Sequence, residues 1–386
     1  MYPLKPDRIY AHRALKSDAD AMLRLERILS ALERPESDVD WYRPEEAVRV
    51  SGELAGWTPD KNNPEWKLRQ PLVFTRFITD GSDPAADPVI QGLEEGAEPY
   101  NLRYILGYMP PYSFHHTPKE DAESGMVCWP SKFLGSVSGC SHACAYCGTG
   151  RSGKALTVAL NVREYIDRVV RRIADENPWQ RCFLMIGMGA DMVTLEPEYG
   201  LYEDLLNLLS EYQDRYAYFH TNSDHVDWVE DLTHRERLIG VWSLCSNEAS
   251  ALIEPEAATA SSRIDAMAKL ADWNVPVRVK LKPILPIRGW RESYGATVEE
   301  LLRRTKPETL GFTSLIWMDY EGICRIFDEG VLDPAFVEAA RDAQEQMKDS
   351  RHGPFPHEKR AELYRFLIRE ARKHDPDLPL FLSTET

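Results

Sequence analysis

From residue 131 to residue 320 the chain alternates between short apolar runs and longer segments of helical period. "SKFLGSV", "CFLMIGMG", "YAYFHTN", "LIGVWSLC", "VPVRVKLKPIL" and "TLGFTSLIWM" read as strands. "VREYIDRVVRRIADE", "EDLLNLLSEYQ", "SSRIDAMAKLADW" and "TVEELLRRT" read as helices among them. Strands separated by helices pair through crossover connections, which predicts a parallel sheet of right-handed βα units. About 190 residues are too few to close an eight-fold barrel. The expected fold is therefore α/β: a partial (β/α)6 TIM-like barrel, or an equivalent wound sheet, with an N-terminal extension and C-terminal helices. In such folds the loops at the carboxyl ends of the strands gather into the site.

The flanks have a different texture. Residues 18–34, "DADAMLRLERILSALER", carry apolar residues at helical spacing. Residues 52–128 are rich in Pro, Gly, Asp and aromatics, as in "GWTPDKNNPEW" and "GYMPPYSFHHTP", and read as loops with short strands. In the second stretch, His115 and His116 sit among aromatics that can stack nucleobases, but a packed cover is the expected role. After Tyr320, helices over about 333–348 and 357–374 precede a last apolar stretch, "LPLFLST". The expected organisation is 1–130 as helix and aromatic cover, 131–320 as barrel, and 321–386 as helices and final strand. No apolar run is long enough for a membrane span, and the first residues lack the apolar core of a secretory signal. A cytoplasmic chain is expected, with its seven cysteines as thiols or metal ligands. A net charge of −16 opposes a non-specific grip on nucleic acid.

Three of those cysteines, Cys140, Cys144 and Cys147, fall in "GCSHACAYCGTG", directly after the first barrel strand. Soft thiolates select zinc or iron–sulfur clusters. A four-iron cluster on three thiolates leaves one iron open to a small molecule. A structural zinc wants a fourth ligand, and His142 is the nearest candidate, awkwardly placed within the loop. The CxxxCxxC spacing, Tyr146 before the last cysteine and the place after the first strand resemble the radical S-adenosylmethionine superfamily. That resemblance implies a 4Fe-4S cluster and S-adenosyl-L-methionine as cofactors, with an electron donor such as flavodoxin or ferredoxin. The methionine end would chelate the open iron. One electron would then release a 5′-deoxyadenosyl radical that takes hydrogen from substrate.

Further stretches resemble the spore photoproduct lyase family: "PDRIYAHRAL", "GADMVTLEP", "HTNSDHV", "WSLCSNEASALIEPEAATASSRIDAM", "LKPILPIRGWRESY" and the closing "HEKRAELYRFLIREARKH" with "LPLFLSTET". The resemblance implies that Tyr146 flanks the adenine or the radical path. It places the backbone near Gly189 and Asp191 at the methionine end, and Asn222 and Ser243 against the ribose or carboxylate. Strand-end Ser and Asn residues also commonly serve only to satisfy backbone groups. Three departures stand out. The family's hydrogen-returning cysteine reads Met188 here, its tyrosine after the last cluster cysteine reads Gly148, and the lysine of its Thr-Lys-Ser turn reads Asn222. A thioether has no S–H to donate, so the family's route to thymine-dimer repair is not expected. Cys245, at a strand end, is the candidate replacement thiol, set against its plainer reading as a small buried hydrophobe.

In "VPVRVKLKPIL", Val277, Val279 and Leu281 occupy one face, and Arg278, Lys280 and Lys282 the other. The apolar face belongs under helices, so the basic face should line the lumen. Its cations need acids such as Asp191, Asp224 or Glu248, or else a cofactor or substrate anion. These features together lead to a small anionic substrate as the expectation: a nucleotide, sugar phosphate or acid. A nucleic-acid-modifying enzyme is the alternative, with DNA as a disfavoured partner. A zinc-stabilised binding module is the reading from outside enzymology.

Overall fold

The computed structural model describes residues 1–60, 63, 65–94, 99, 101–109, 112–114, 132–152, 155–176, 181–185, 189–316, 318–348, 350 and 352–383. Met188, Cys128, His115 and His116 lie outside them. Among the described residues there are thirteen strands. In chain order they are β1 (Ile9–His12), β2 (Val39–Tyr42), β3 (Leu72–Thr75), β4 (Tyr112–Phe114), β5 (Lys132–Leu134), β6 (Val137–Ser138) and β7 (Leu156–Ala159). Then come β8 (Cys182–Met185), β9 (Tyr216–Thr221), β10 (Leu238–Leu244), β11 (Val277–Ile284), β12 (Thr309–Ser314) and β13 (Leu380–Leu382).

The larger sheet has the order β13-β12-β11-β10-β9-β8-β5-β4. Its six inner strands are those read from the sequence, each beside its successor and all parallel. The closing stretch adds β13 parallel to β12, and β4 pairs antiparallel with β5. Among the described residues β13 and β4 are its two edges. Its helix-side face is apolar because helix Ala260–Asp272 packs on β10 and β11. Leu244, Val279 and Leu281 are fully buried there, each contributing about 1.5–3 kcal/mol by leaving water. Trp242 and Trp290 are buried on the same side. On the opposite face Tyr218, His220, Lys280 and Lys282 stay partly accessible, which gives β9 and β11 their alternating burial.

The smaller sheet, in the order β2-β1-β3-β7-β6, is built mainly of parallel pairs. Its strands β1, β3 and β7 are four residues long and buried throughout. It draws β1 to β3 from before residue 130, and β6 and β7 from after it. Helix Ala19–Ala31, capped by the Asp18 carboxylate, lies in the segment read as helical. The last residues supply helices Pro334–Asp342 and His357–His374 before β13.

One buried acid on the way to the site makes a testable contribution to stability. The Glu196 carboxylate, 1% exposed, accepts the Gly200 and Leu201 N–H groups at 3.0 and 2.9 Å and so caps helix Leu201–Ser210. Burial outweighs these bonds and pushes its pKa from 4.5 up to about 7. Between those values the unfolded chain ionises while the folded chain keeps its proton. The contribution of Glu196 to stability therefore falls as pH rises from about 4.5 to about 7 and levels off above. Glu196→Gln is expected to remove this slope, on the order of 3 kcal/mol, in denaturant midpoints taken across that range. A wild-type midpoint that changes over that range no differently from that of Glu196→Gln would refute it.

Candidate active site

The loop after β6 carries Cys140, Cys144 and Cys147 onto a seat made by other elements. Ala145 N donates to Ile253 O at 2.8 Å, and Ala143 N to Pro255 O at 3.3 Å. From the smaller sheet's side, Gln70 donates to Cys140 O and Lys67 to Thr149 O, at 2.9 and 2.8 Å. Cys144 is buried, while Cys140 and Cys147 are partly exposed. Burial pushes the Cys140 thiol up to about 11 and the Cys144 thiol well above its ordinary range. Thiols so placed need a bound cation to become thiolates, so metal entry displaces protons.

His142 is not available as a fourth ligand. Its Nδ1 faces Glu256 O at 2.9 Å and its Nε2 faces Asp191 Oδ2 at 3.1 Å. Among the described residues no three His, Cys, Asp or Glu side chains converge where a single metal ion would sit. Three soft thiols with the neighbouring imidazole already committed suit an iron–sulfur cluster with one iron free of protein.

Asp191 works for this loop. Its carboxylate accepts from Thr221 Oγ1 at 2.7 and 2.9 Å, from Asn222 N at 2.9 Å and from His142. Burial acts to raise its pKa, but these bonds hold it below the usual aspartate range. Gly189, at φ +75°, brings the loop after β8 against the cluster loop: a Cβ there would lie 2.6 Å from Thr149 Oγ1. The two glycines after Cys147 differ in their surroundings. A Cβ on Gly150 would lie 2.5 Å from Cys144 O, whereas one on Gly148 meets nothing within 4 Å. Gly150→Ala is therefore expected to cut the iron retained after reconstitution severalfold, and Gly148→Ala to leave it unchanged. Metal analysis decides; equal retention by the two would contradict the account.

Beneath the loop lies a polar network. Tyr146 OH donates to Glu254 Oε1 at 2.9 Å, and Asn222 Nδ2 reaches the same oxygen at 3.0 Å, Tyr146 OH at 3.2 Å and Cys144 Sγ at 3.9 Å. Arg263 pairs with Glu254 Oε2 at 2.7 Å and donates to Ser243 O at 3.0 Å. Ser243 Oγ bonds His220 Nε2 at 2.8 Å. The structure thus brings together Tyr146, Gly189, Asp191 and Asn222 around the three cysteines, with Ser243 joined through Arg263.

Two residues stand apart from the expected arrangement. Cys245 is close by but sealed: it has no exposure, and its thiol donates to Pro283 O at 3.2 Å. Burial lifts that thiol well above the ordinary range, so it lacks the access and the acidity that redox chemistry uses. Arg278 lies at the start of β11, away from the strand ends, and pairs with Glu308 at 2.8 Å with both side chains nearly half exposed. Lys280 and Lys282 lie farther along the same face, with Lys280 in register with Ser243. Sequence reasoning missed Thr221, Glu254 and Arg263 as site residues, and read His142 only as a candidate ligand. Arg263 did leave a signal, since it stands on the buried stripe of its helix with Met267 and Leu270.

A partial βα barrel with a three-cysteine loop, and no fourth protein ligand among the described residues, is the arrangement of a radical S-adenosylmethionine enzyme. Residues 133–317, a little under half of the chain, match the family model of spore photoproduct lyase. Among solved structures it is similar to a spore photoproduct lyase mutant, at TM-score 0.66 and 15% identity over 98% of both chains. It is also similar to that enzyme complexed with dinucleoside spore photoproduct, at TM-score 0.65 and 16% identity over 98% of both chains. A mutant with AdoMet and dinucleoside spore photoproduct bound aligns at TM-score 0.64 and 16% identity, again over 98% of both chains. At such identities the likeness concerns the fold. No curated protein matches the chain. Among the described residues no helix is long and apolar enough to cross a membrane.

Proposed function

We propose that the chain holds a 4Fe-4S cluster on Cys140, Cys144 and Cys147, binds S-adenosyl-L-methionine at its open iron, and acts on a cross-linked dinucleotide of the photoproduct class. The observation that carries the cluster is the donor set: three thiols on one loop, with His142 tied to Glu256 and Asp191. When bound, the cluster and its co-substrate supply the electron and the hydrogen-abstracting power of radical chemistry. The chain's own part is to hold the loop through Asp191 and Thr221, keep Tyr146 and Asn222 beside Cys144, and present Lys280 and Lys282 to the substrate's anionic groups. The electron comes from a flavodoxin- or ferredoxin-type donor.

The substrate class is supported by the end-to-end likeness to an enzyme whose structures contain dinucleoside spore photoproduct. A second reading, a small anionic molecule, is favoured by Met188 and Gly148 at the family's donor and relay positions and by the net charge of −16. Under either reading residue 188 cannot return hydrogen to the product.

The test is anaerobic reconstitution with reductant and S-adenosylmethionine, followed by incubation with irradiated dinucleotides, mononucleotides, sugar phosphates and amino acids. Acceleration of cofactor cleavage by the irradiated dinucleotides, with new product masses, supports the first reading. Acceleration only by a smaller anion transfers the function to the second. Lys282→Met is expected to raise KM for the accelerating substrate about tenfold, the scale of one charge-assisted hydrogen bond, with iron content unchanged. An unchanged KM would remove Lys282 from the binding surface.

A further inference from the structure

We infer that the buried Glu254–Arg263 pair is a positioning device for the cluster loop, fixing Tyr146 and Asn222 through one carboxylate oxygen. This rests on the cluster proposed above.

Four features carry it. Both side chains are fully excluded from solvent. Glu254 divides its oxygens: Oε1 serves Tyr146 and Asn222, while Oε2 serves Arg263 and, at 2.9 Å, Ser250. Tyr146, Asn222 and Glu254 therefore close a triangle in which the phenol can donate only to the carboxylate while it accepts from the amide. The residues on either side of Glu254 carry the cluster loop's backbone, because Ile253 O and Pro255 O accept from Ala145 N and Ala143 N. Arg263 then extends the arrangement to Ser243 O at the end of β10. One ion pair thus ties the cluster loop, the turn after β9 and the end of β10.

Replacing a buried ion pair by well-packed neutral residues is often tolerated by a fold, so stability alone does not account for the oxygen that faces Tyr146 and Asn222. Two double variants separate the roles. E254L/R263M removes the pair and that acceptor, whereas E254Q/R263M removes the pair and keeps an amide oxygen facing Tyr146 and Asn222. On the metal-free chain, amide hydrogen exchange at Ala143 and Ala145 is expected to be at least about tenfold faster in the leucine variant than in the glutamine variant, at similar denaturant midpoints. On the reconstituted protein, the change that S-adenosylmethionine produces in the electron paramagnetic resonance spectrum of the reduced cluster should survive in the glutamine variant and vanish in the other.

Equal behaviour of the two variants in exchange and spectrum would overturn the inference. Should the leucine variant not fold, Tyr146→Phe decides. It leaves the ion pair whole and is expected to speed exchange at Ala145 severalfold without moving the denaturant midpoint; unchanged exchange overturns the inference. If wild-type chain takes up no cluster, the proposed function fails, while the exchange comparison on metal-free chain still decides the positioning role.

Discussion

Cys144→Ala is expected to yield a folded chain that retains almost no iron and cleaves S-adenosylmethionine only at background rate. Cys144 is the buried member of the three, enclosed by its own loop and by Asn222. Removing its sulfur leaves two protein ligands, too few to anchor a cluster that already has one corner without protein. The fold should tolerate the change, because the loop's seat is made by backbone bonds at Ala143 and Ala145 that the substitution leaves in place. Reconstituted wild-type chain should carry about four irons. Cys245→Ala is the matched control, since that thiol is sealed against Pro283 and should leave the iron count unchanged. An iron-replete Cys144→Ala chain would sink the ligand assignment.

Arg263→Met as a single change is expected to be the most destabilising of the substitutions considered, by about 3–5 kcal/mol. It leaves the Glu254 carboxylate charged, enclosed and without its cation. The comparison is Arg278→Met, which breaks an ion pair of similar length whose members are nearly half exposed. Water and salt already screen that pair, so its loss should cost at most about 1 kcal/mol. Denaturant midpoints measure both. Similar losses for the two variants would show that the interior around Glu254 is wetter than its geometry indicates.

The six inner strands were legible because segments of helical period separate most of them, in a βα series that admits one topology. The cluster loop was legible because three thiols in eight positions have few other uses. The smaller sheet was not. β1, β3 and β7 are short and buried on both faces, so they show no alternation, and their neighbours are rich in turn formers. Arg278 shows a different limit. Alternation placed it on the correct face of β11, but position along the strand decides whether a side chain meets the site or Glu308. Glu254 escaped notice because its partners come from Tyr146, Asn222 and Arg263, and no local pattern joins those positions. The separation of cysteine roles also needed coordinates, because Cys245 has the same strand-end address as a reactive thiol but faces a carbonyl.

The antiparallel pairing of β6 with β7 brackets the cysteine loop, with Val137 opposite Val158 and Ser138 opposite Thr157. The two ends of the loop are thereby clamped by the smaller sheet itself. Part of the configurational freedom lost in gathering the three sulfurs is thus carried by the pairing of the smaller sheet. Capture then resembles filling a ready-made nest more than ordering a floppy segment, and the metal-free and loaded chains should share nearly the same backbone. A lesion in β1 or β3, neither of which supplies a sulfur, would loosen that clamp through β7 and weaken iron uptake.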